Sequence, residues 1–384
     1  MRYIARIEIL TAQLPFRFSF GHALAARRAS DNVYVGVTLN DGSQGWGEGV
    51  PRDYVTGETA ESAVDAIRLD LGQAILGQEF PDVESVPAML LSAVPSSSAR
   101  GAAWCAVELA ALDACGKSFG CSVRRWLGPD RTRDITYDLV FPFADAKTMT
   151  AVGALGRALG FRRVKVKVGA DLERDVRAVR LLRRLLGPRT DIRVDANCGW
   201  TSSEALAAIE QLRPFDISCV EQPVPADDIE GLQTVTAATP ETIMVDESLR
   251  TLDDAEALIE ARACDAFNIR VSKCGGLLTS VRIAHMAEEA GLDRIVGAQV
   301  GESGLLSAAG RHLAAAIAPR YVEGSAGSLL LKEDLTRERV LPGWGGHARP
   351  SDAPGLGVTV KEAVLRRLGT TQAVLESAAV RSGV

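Results

Sequence analysis

Five short stretches of the chain decide its fold: RRVKVKVG (162–169), DIRVDAN (191–197), DISCVEQP (216–223), ETIMVDES (241–248) and AFNIRVSK (266–273). Each is rich in β-branched residues and is followed by a segment whose apolar residues recur at helix spacing. Three similar stretches, DITYDLVF, DRIVGAQ and PRYVEG, bring the number to eight between residues 134 and 324. Strands that alternate with helices indicate a parallel sheet, and eight such units predict a (β/α)₈ TIM barrel.

Polar residues recur along these strands at a nearly constant interval. Successive members lie 24 to 28 residues apart, and the series is Lys167, Asp195, Glu221, Asp246, Lys273, Gln299 and Glu323. An interval of this length matches one strand, one helix and two loops. Each residue falls at or near the C-terminal end of its predicted strand, where the loops of a barrel form the active-site mouth. The regular interval therefore supports the fold and the site together.

The segments on either side of the barrel predict a second, smaller domain. The first residues alternate apolar and polar positions and turn at Asp41-Gly42, and the segment after Glu58 has helix spacing. The region after residue 341 is rich in Gly and Pro and continues into a strand-like VTV and a helical KEAVLRRLG. We therefore predict an α/β protein with an N-terminal α+β capping domain that a returning C-terminal segment completes. The predicted parts are the capping domain (1–128), the barrel (129–345) and the C-terminal segment (346–384).

The composition argues against several classes of partner and site. A net charge of −6 and a pI near 5.5 argue against a nucleic-acid partner, which needs a basic face. No stretch approaches the roughly 18 uninterrupted apolar residues of a membrane-spanning helix. The seven cysteines are scattered and form no CxxC pair, which predicts free thiols in a cytoplasmic protein and neither a disulfide framework nor a zinc site.

Three carboxylates indicate a metal site. Asp195, Glu221 and Asp246 end three consecutive predicted strands, which lie about 4.8 Å apart in a parallel sheet. Carboxylates this close repel one another unless a cation lies among them. Oxygen ligands without His or Cys favour Mg²⁺, with Mn²⁺ as the second choice, over zinc. The alternative is that the three only pair with Lys or Arg at the barrel mouth.

Lysines flank the predicted metal site. Lys165 and Lys167 lie two positions apart and share one face of the second strand, and Lys273 ends the sixth strand across the barrel. Mutual repulsion and a nearby cation lower the pKa of a lysine, which suits it to act as a general base. A substrate between the two strands would meet a lysine on each face. The alternative is that the lysines only neutralise the carboxylates.

This combination predicts chemistry at the carbon beside a carboxylate. We expect a small-molecule carboxylate substrate whose α-proton is removed by one lysine, giving an enediolate that metal and ammonium charge stabilise. The other lysine can return a proton on the opposite face, which gives racemisation or epimerisation. It can instead offset charge while a leaving group departs.

The motifs resemble the enolase superfamily, and within it the muconate-lactonizing subgroup of the mandelate racemase/muconate lactonizing enzyme family. The matching motifs are KVK (165–167), DAN (195–197), EQP (221–223), DES (246–248) and SKCGG (272–276). The resemblance covers nearly the whole chain, because GWGEGVP in the first domain and PGLGVTV near the end also match.

The resemblance assigns a role to each site residue. It implies Mg²⁺ ligation by the three carboxylates, acid/base catalysis by Lys167 and Lys273, and enolate stabilisation by Lys165. It also places Asn197 near the substrate carboxylate and implies that loops 16–28 and 52–56 of the first domain cap the site. The remaining candidate substrate contacts are Phe20, His22, Tyr54, Gln299, Glu302 and Glu323. For the two glutamates, capping of a loop or helix is the alternative.

Two departures from relatives in this superfamily narrow the predicted reaction. No His follows the seventh strand, where GAQVGESG stands, which argues against the mandelate-racemase type. The eighth strand ends in Glu323-Gly324-Ser325 where dipeptide epimerases have a DxD pair, which argues against dipeptide substrates.

Three kinds of function remain open for such a site. We predict an isomerase, either a racemase or epimerase of an amino-acid derivative or a cycloisomerase. The alternatives are a lyase that performs syn-dehydration of a hydroxy acid or hydroxylated imino acid, and a non-catalytic relative. The resemblance also implies a homo-oligomer.

Overall fold

The computed structural model describes residues 1–22, 25–93, 100–141, 145–324 and 327–381. The strands of this part are β1 (Arg2–His22), β2 (Ala25–Leu39), β3 (Gln44–Gly49), β4 (Glu79–Phe80), β5 (Ile135–Thr136), β6 (Leu139–Phe141), β7 (Arg163–Lys167), β8 (Asp191–Asp195), β9 (Ile217–Glu221), β10 (Thr242–Val245), β11 (Ala266–Arg270), β12 (Asp293–Gly297), β13 (Tyr321–Val322), β14 (His347–Ala348) and β15 (Gly369–Glu376).

The α-helices of the described part are α1 (Asp53–Thr56), α2 (Ala60–Ala66), α3 (Gly72–Ile75), α4 (Val86–Ser92), α5 (Gly101–Phe119), α6 (Ala146–Ala158), α7 (Leu172–Leu186), α8 (Ser202–Leu212), α9 (Ile229–Ala238), α10 (Leu252–Glu260), α11 (Gly276–Glu289), α12 (Gly304–Ile317), α13 (Gly327–Leu330), α14 (Glu362–Leu368) and α15 (Ala378–Arg381). A π-helical turn at Ile67–Leu71 joins α2 to α3. In that same part of the chain, no helix is both long enough and apolar enough to cross a membrane.

Strands β6 to β13 form one parallel sheet in sequential order, and helices α6 to α12 connect them. The sheet closes on itself, because Tyr137, just before β6, forms a parallel bridge with Val322 of β13. The backbone N–H of Asp138 also donates to the carbonyl of Val322 at 2.8 Å. The predicted TIM barrel is therefore confirmed, with a strand in each of the eight predicted stretches.

The interior of the barrel changes from apolar to charged along its axis. A buried floor cluster is formed by Cys219, Met244, Ala266, Ile295 and Tyr321. Toward the C-terminal strand ends, the buried side chains are instead charged, and they include Lys165, Arg193, Asp195, Glu221 and Glu323. Buried charge is costly unless it is paired, so this end of the barrel marks the functional site.

The barrel helices begin where the sequence offers capping side chains. Thr201 accepts a hydrogen bond from the N–H of Glu204, and the Glu204 carboxylate accepts one from the N–H of Thr201 at 2.8 Å. Thr251 and Asp254 form the same reciprocal box at the start of α10. Such boxes satisfy N–H groups that the first helical turn leaves unpaired. The loops after β8 and β10 therefore end at defined residues, which fixes the strand ends that carry the carboxylates.

The capping domain is an antiparallel sheet in the order β15-β1-β2-β3, with helix α5 packed on it. Alternate glycines of β3 allow α5 to approach, since an added Cβ at Gly47 would lie 2.0 Å from the carbonyl oxygen of Ala106. The N-terminal α+β domain completed by the C-terminal segment is confirmed. The exact boundaries after residues 128 and 345 stay predictions.

Two local predictions need correction. The VTV segment forms no strand, because Val360 makes only an isolated bridge with Thr336, and the C-terminal strand is β15 instead. Strand β15 pairs with β1 from Arg6–Glu376 to Ala12–Gly369, where it covers an open sheet edge. The DITYDLVF stretch is also divided, because β5 pairs with β14 outside the barrel and only β6 belongs to the barrel.

Candidate active site

The strand register brings the three predicted carboxylates together at the barrel mouth. Asp195 and Glu221 are direct partners across β8 and β9, and Glu221 is the partner of Met244 on β10. Asp246 lies two residues beyond Met244. All three side chains are fully buried. The carboxylates therefore form a row across three adjacent strand ends.

Strained backbone holds the turns that follow two of these carboxylates. Asn197, Cys198 and Gln222 have φ angles of 45°, 63° and 36°. The left-handed region is unfavourable for residues other than Gly and persists where surrounding contacts impose it. The Gln222 side chain supplies such contacts, since its Oε1 accepts from the N–H of Asp246 at 2.9 Å and of Ser248 at 3.2 Å. Gln222 thus connects the end of β9 to the end of β10.

Two lysines lie at opposite ends of the carboxylate row. Lys167 Nζ is 2.6 Å from Asp195 Oδ2, and Lys273 Nζ is 2.9 Å from Asp246 Oδ1. Lys273 comes three residues after β11 rather than on it, and its ammonium also donates to the carbonyl of Asn268 at 3.1 Å. The structure therefore brings together five of the seven residues that the sequence interval selected, the three carboxylates and these two lysines.

The third lysine, Lys165, lies inside the cluster. Its Nζ is 3.0 Å from Asp195, 3.2 Å from Glu221 and 2.7 Å from Glu323. Burial lowers the pKa of this ammonium, but the surrounding carboxylates outweigh burial and raise it above its usual value. The lowering of lysine pKa that the sequence suggested depends on a nearby cation and stays a prediction. This position suits a residue that supplies fixed positive charge.

Two buried arginines complete the cluster and were missed from the sequence. Arg193 Nη2 lies 2.9 Å from Asp138 and 2.5 Å from Glu323, and its Nη1 lies 3.3 Å from Glu221. Arg270, the last residue of β11, pairs with Asp246. The signal that could have identified Arg193 is its position two residues before Asp195, which puts both side chains on the same face of β8.

The donor set fits a divalent cation, although the carboxylates face cationic side chains as the structure stands. Among the described residues, no three carboxylates converge on one point as metal ligands would. Two observations support the fit. Burial and the charge of Asp195 raise the pKa of Glu221, so a cation held there would stabilise its ionised form. In the part of the chain that is described, buried Glu247 Oε2, beside Asp246, has no hydrogen-bond partner. Asp195, Glu221 and Asp246 are the residues that would hold the cation.

The predicted substrate contacts fall into different environments. The Asn197 side chain links Lys167 to Glu247: its Oδ1 accepts from Lys167 Nζ at 2.5 Å, and its Nδ2 donates to Glu247 at 3.0 Å. Glu323 is occupied by the ion pairs to Lys165 and Arg193 described above. Tyr54 lies half-buried on α1.

The remaining candidates are Gln299, Glu302, Phe20 and His22. Gln299 and Glu302 are buried together after β12, where the N–H of Gln299 donates to Glu302 Oε1 at 2.7 Å. Burial raises the pKa of Glu302 to about 8. The side chains of Phe20 and His22 lie outside the described residues.

Two family models match the chain and together span most of it. Residues 148–364 match the enolase C-terminal domain-like model. Residues 5–128 match the N-terminal domain model of mandelate racemase/muconate lactonizing enzyme. The chain belongs to the mandelate racemase/muconate lactonizing enzyme family. The predicted membership in the enolase superfamily is confirmed.

Named relatives of the chain are isomerases. The N-succinyl-L-Arg/Lys racemase of Bacillus cereus is 30% identical over 97% of this chain and 99% of its own length. Its crystal structure matches with a TM-score of 0.89, covering 97% of this chain and 100% of that one. The dipeptide epimerase of Enterococcus faecalis, in complex with Mg and L-Leu-L-Tyr, matches at 28% identity with a TM-score of 0.84, covering 93% and 99%.

A third relative has a different isomerase activity. The muconate lactonizing enzyme of Pseudomonas fluorescens, in complex with muconolactone, is 27% identical with a TM-score of 0.87, covering 96% of this chain and 99% of that one. The prediction of an isomerase of this family is confirmed by these relatives.

Proposed function

We propose that this protein removes the α-proton of a small-molecule carboxylate and returns a proton to the opposite face, as a racemase or epimerase of an amino-acid derivative. The observation that carries the proposal is the position of Lys167 and Lys273 at opposite ends of one carboxylate row. Lys167 Nζ lies 2.6 Å from Asp195, and Lys273 Nζ lies 2.9 Å from Asp246. A planar reaction intermediate between two such groups can be protonated from either side.

Each lysine has a distinct part in this proton exchange. A neutral Lys167 or Lys273 accepts the α-proton on its own side, and the other lysine, as an ammonium, donates a proton on the far side. The substrate loses one proton and gains one, so its composition does not change. Asn197 Oδ1, which accepts from Lys167 at 2.5 Å, orients that lysine for the transfer.

The other charged groups handle the negative charge that develops on the substrate carboxylate. We propose Asp195, Glu221 and Asp246 as ligands of Mg²⁺, with Mn²⁺ as an alternative, and the bound ion supplies positive charge to the substrate carboxylate. Lys165 adds fixed positive charge nearby, and Glu323, which also pairs with Arg193, holds that lysine in place. Such preorganised charge lowers the cost of forming the carbanion.

The relatives support an amino-acid derivative as substrate. A racemase of N-succinyl-L-Arg/Lys aligns over nearly the full length of both chains, and its structure has a TM-score of 0.89 to this one. Cycloisomerisation of the muconate type is the second isomerase outcome, because a muconate lactonizing enzyme has nearly the same structural similarity, with a TM-score of 0.87.

Proton exchange with solvent tests the proposal. The protein is incubated with Mg²⁺ in D₂O with a panel of N-acylated amino acids, dipeptides and free amino acids, and α-deuterium is followed by NMR. We expect exchange in wild type, and loss of exchange for one enantiomer in Lys167→Ala and for the other in Lys273→Ala. Exposed Lys147, on α6, provides the control Lys147→Ala, which should exchange like wild type.

Two results would contradict the proposal. Absence of exchange across the whole panel would remove the racemase assignment. Loss of water from hydroxylated acids, detected by mass, would favour the lyase.

Further proposals concern the setting in which the protein works. We propose a cytoplasmic homo-oligomer without nucleic-acid or membrane partners. The seven cysteines support a reducing compartment, because all of them are free thiols. The oligomer rests on the family resemblance and is tested by light scattering coupled to size-exclusion chromatography.

A further inference from the structure

The side chain of Gln299 is buried without a partner. Its exposed fraction is 2%, and within the described part of the chain neither its Nε2 nor its Oε1 makes a hydrogen bond. Burying a carboxamide with both polar atoms unpaired opposes folding, so such groups are rare unless a ligand pairs them. Gln299 is therefore a candidate ligand contact.

The register of β12 indicates the direction of the Gln299 side chain, which lies two residues beyond the end of that strand. Ile295 belongs to the barrel floor, and an added Cβ at Gly297 would lie 2.1 Å from Asn268 Oδ1 and 2.9 Å from Arg270 Cγ. Side chains two residues apart share one face of an extended chain. By this alternation, Gln299 continues the inward face of β12 beyond the end of the strand. The neighbouring strand there is β11, whose last residue, Arg270, pairs with Asp246.

The loop that carries Gln299 is fixed by the capping domain. Asn32 Nδ2 donates to the carbonyl of Gly301 at 2.9 Å, and Glu48 accepts from the N–H of Ser303 at 2.9 Å and from its Oγ at 2.7 Å. The N–H of Gln299 itself donates to Glu302 at 2.7 Å. Because these contacts hold the backbone, Gln299 has a fixed place in the loop that follows the seventh barrel strand.

The chemistry of a carboxamide restricts what can satisfy it. An ammonium group would pair only with Oε1, and a carboxylate would pair only with Nε2. A neutral amide can donate its N–H to Oε1 or accept from Nε2 through its carbonyl oxygen, and it buries no charge beside the uncharged side chain of Gln299. Glu323, at the neighbouring strand end, is neutralised by Lys165 and Arg193 and adds no free anionic site for an ammonium.

We propose that Gln299 is a specificity-determining residue, and that it recognises the neutral amide on the α-nitrogen of an N-acylated amino acid. The inference rests on the proposed function, because a substrate whose α-carbon lies between the two lysines carries its nitrogen substituent one bond from that carbon. Gln299 binds substrate and takes no part in proton transfer.

Matched substrates test which substrate group Gln299 recognises. Exchange of the α-proton in D₂O with Mg²⁺ is measured for N-acetyl-L-leucine, for its ester analogue (2S)-2-acetoxy-4-methylpentanoate, which lacks the N–H, and for L-leucine. Gln299→Leu should lower kcat/KM for the amide by about 10-fold and reduce the amide-to-ester ratio toward one, since the site then loses its polar partner. Gln299→Glu should lower the preference for N-acetyl-L-leucine over L-leucine, because a carboxylate accepts from an ammonium and cannot donate to an acyl oxygen.

A stability measurement separates substrate recognition from a structural role. Without substrate, Gln299→Leu should raise the Tm, because it removes a buried unpaired amide, whereas loss of a structural contact would lower it. The control is Gln233→Leu at an exposed position of α9, which should change neither the ratio nor the Tm.

The outcomes distinguish this inference from the proposed function. If wild type exchanges α-protons but Gln299→Leu keeps the wild-type amide-to-ester ratio, or has a lower Tm, the role of Gln299 is refuted and the proposed function stands. If wild type exchanges no α-proton across the full panel, both are refuted.

Discussion

Replacing Glu48 with Ala should destabilise the contact between the capping domain and the barrel. Glu48 lies on β3 with a fully buried side chain, and it accepts from Tyr34 and Asn32 of β2, each at 2.8 Å. Across the domain contact it accepts from the N–H and Oγ of Ser303 and from the N–H of Leu306 at 3.3 Å. The carboxylate therefore caps the first turn of α12, which follows the seventh strand.

The size of the effect follows from the donors that remain. Asn32 can still donate to Gly301, so the main groups left unpaired are the N–H and Oγ of Ser303 and the hydroxyl of Tyr34. Each unpaired buried donor costs about 1–3 kcal/mol. Burial raises the pKa of Glu48, and the variant no longer carries this desolvation cost, which offsets part of the loss. We expect a net loss of about 3 kcal/mol in the free energy of unfolding.

Calorimetry provides the measurement. The unfolding entropy of a chain this long makes about 3 kcal/mol equivalent to a Tm decrease of about 4 °C. Glu48→Gln should lie between wild type and Glu48→Ala, since one acceptor oxygen remains. Glu256→Ala, at an exposed position in the middle of α10, is the control and should shift the Tm by less than about 1 °C. A Tm of Glu48→Ala equal to that of the control would refute the reasoning.

Three further predictions concern other contacts. The hydrogen bond from Arg366 outweighs burial and lowers the pKa of Glu8 from 4.5. Ionised Glu8 therefore adds stability above pH 4.5, and this stability is lost as the pH falls through the lowered pKa. Glu8→Gln should reduce the pH dependence of chemical denaturation between pH 5 and 3, and an unchanged profile would contradict this. Asp246→Asn should weaken Mg²⁺ binding by about 10-fold or more in calorimetric titration, because a carboxylate ligand is lost; wild-type affinity would count against the metal site. Gly301→Ala should lower the Tm, since Gly301 has φ +94° and the added Cβ would lie 2.3 Å from Ser30 Oγ; a neutral result would show that the loop can shift.

The site could be located from the sequence because its residues repeat with the barrel unit. Asp195, Glu221 and Asp246 stand at equivalent points of successive units, so the position of each follows once the period is known. The partners of these residues could not be predicted in the same way. Arg193 lies on β8 and pairs with Glu323, which follows β13, five strands later in the chain. Such a contact depends on closure of the barrel.

The C-terminal strand shows a similar limit. The VTV segment has strong β propensity but meets no open sheet edge, whereas GTTQAVLE, with Gly and several polar positions, pairs with β1 because that edge is free. Strand formation here is decided by the available partner and only weakly by propensity. Sequence patterns alone could therefore identify the return of the chain to the first domain but not the residues that pair.

The pairing of β15 with β1 has a consequence for synthesis. Residues 6–12 of β1 pair with residues 369–376, so the edge of the first sheet has no partner until this segment, which follows all the barrel strands, has left the ribosome. The barrel strands emerge between these two segments and can begin to assemble while that edge is still open. Completion of the first domain is therefore a late event in biosynthesis, and a chain that stalls in the barrel exposes an unpaired β edge to other nascent chains.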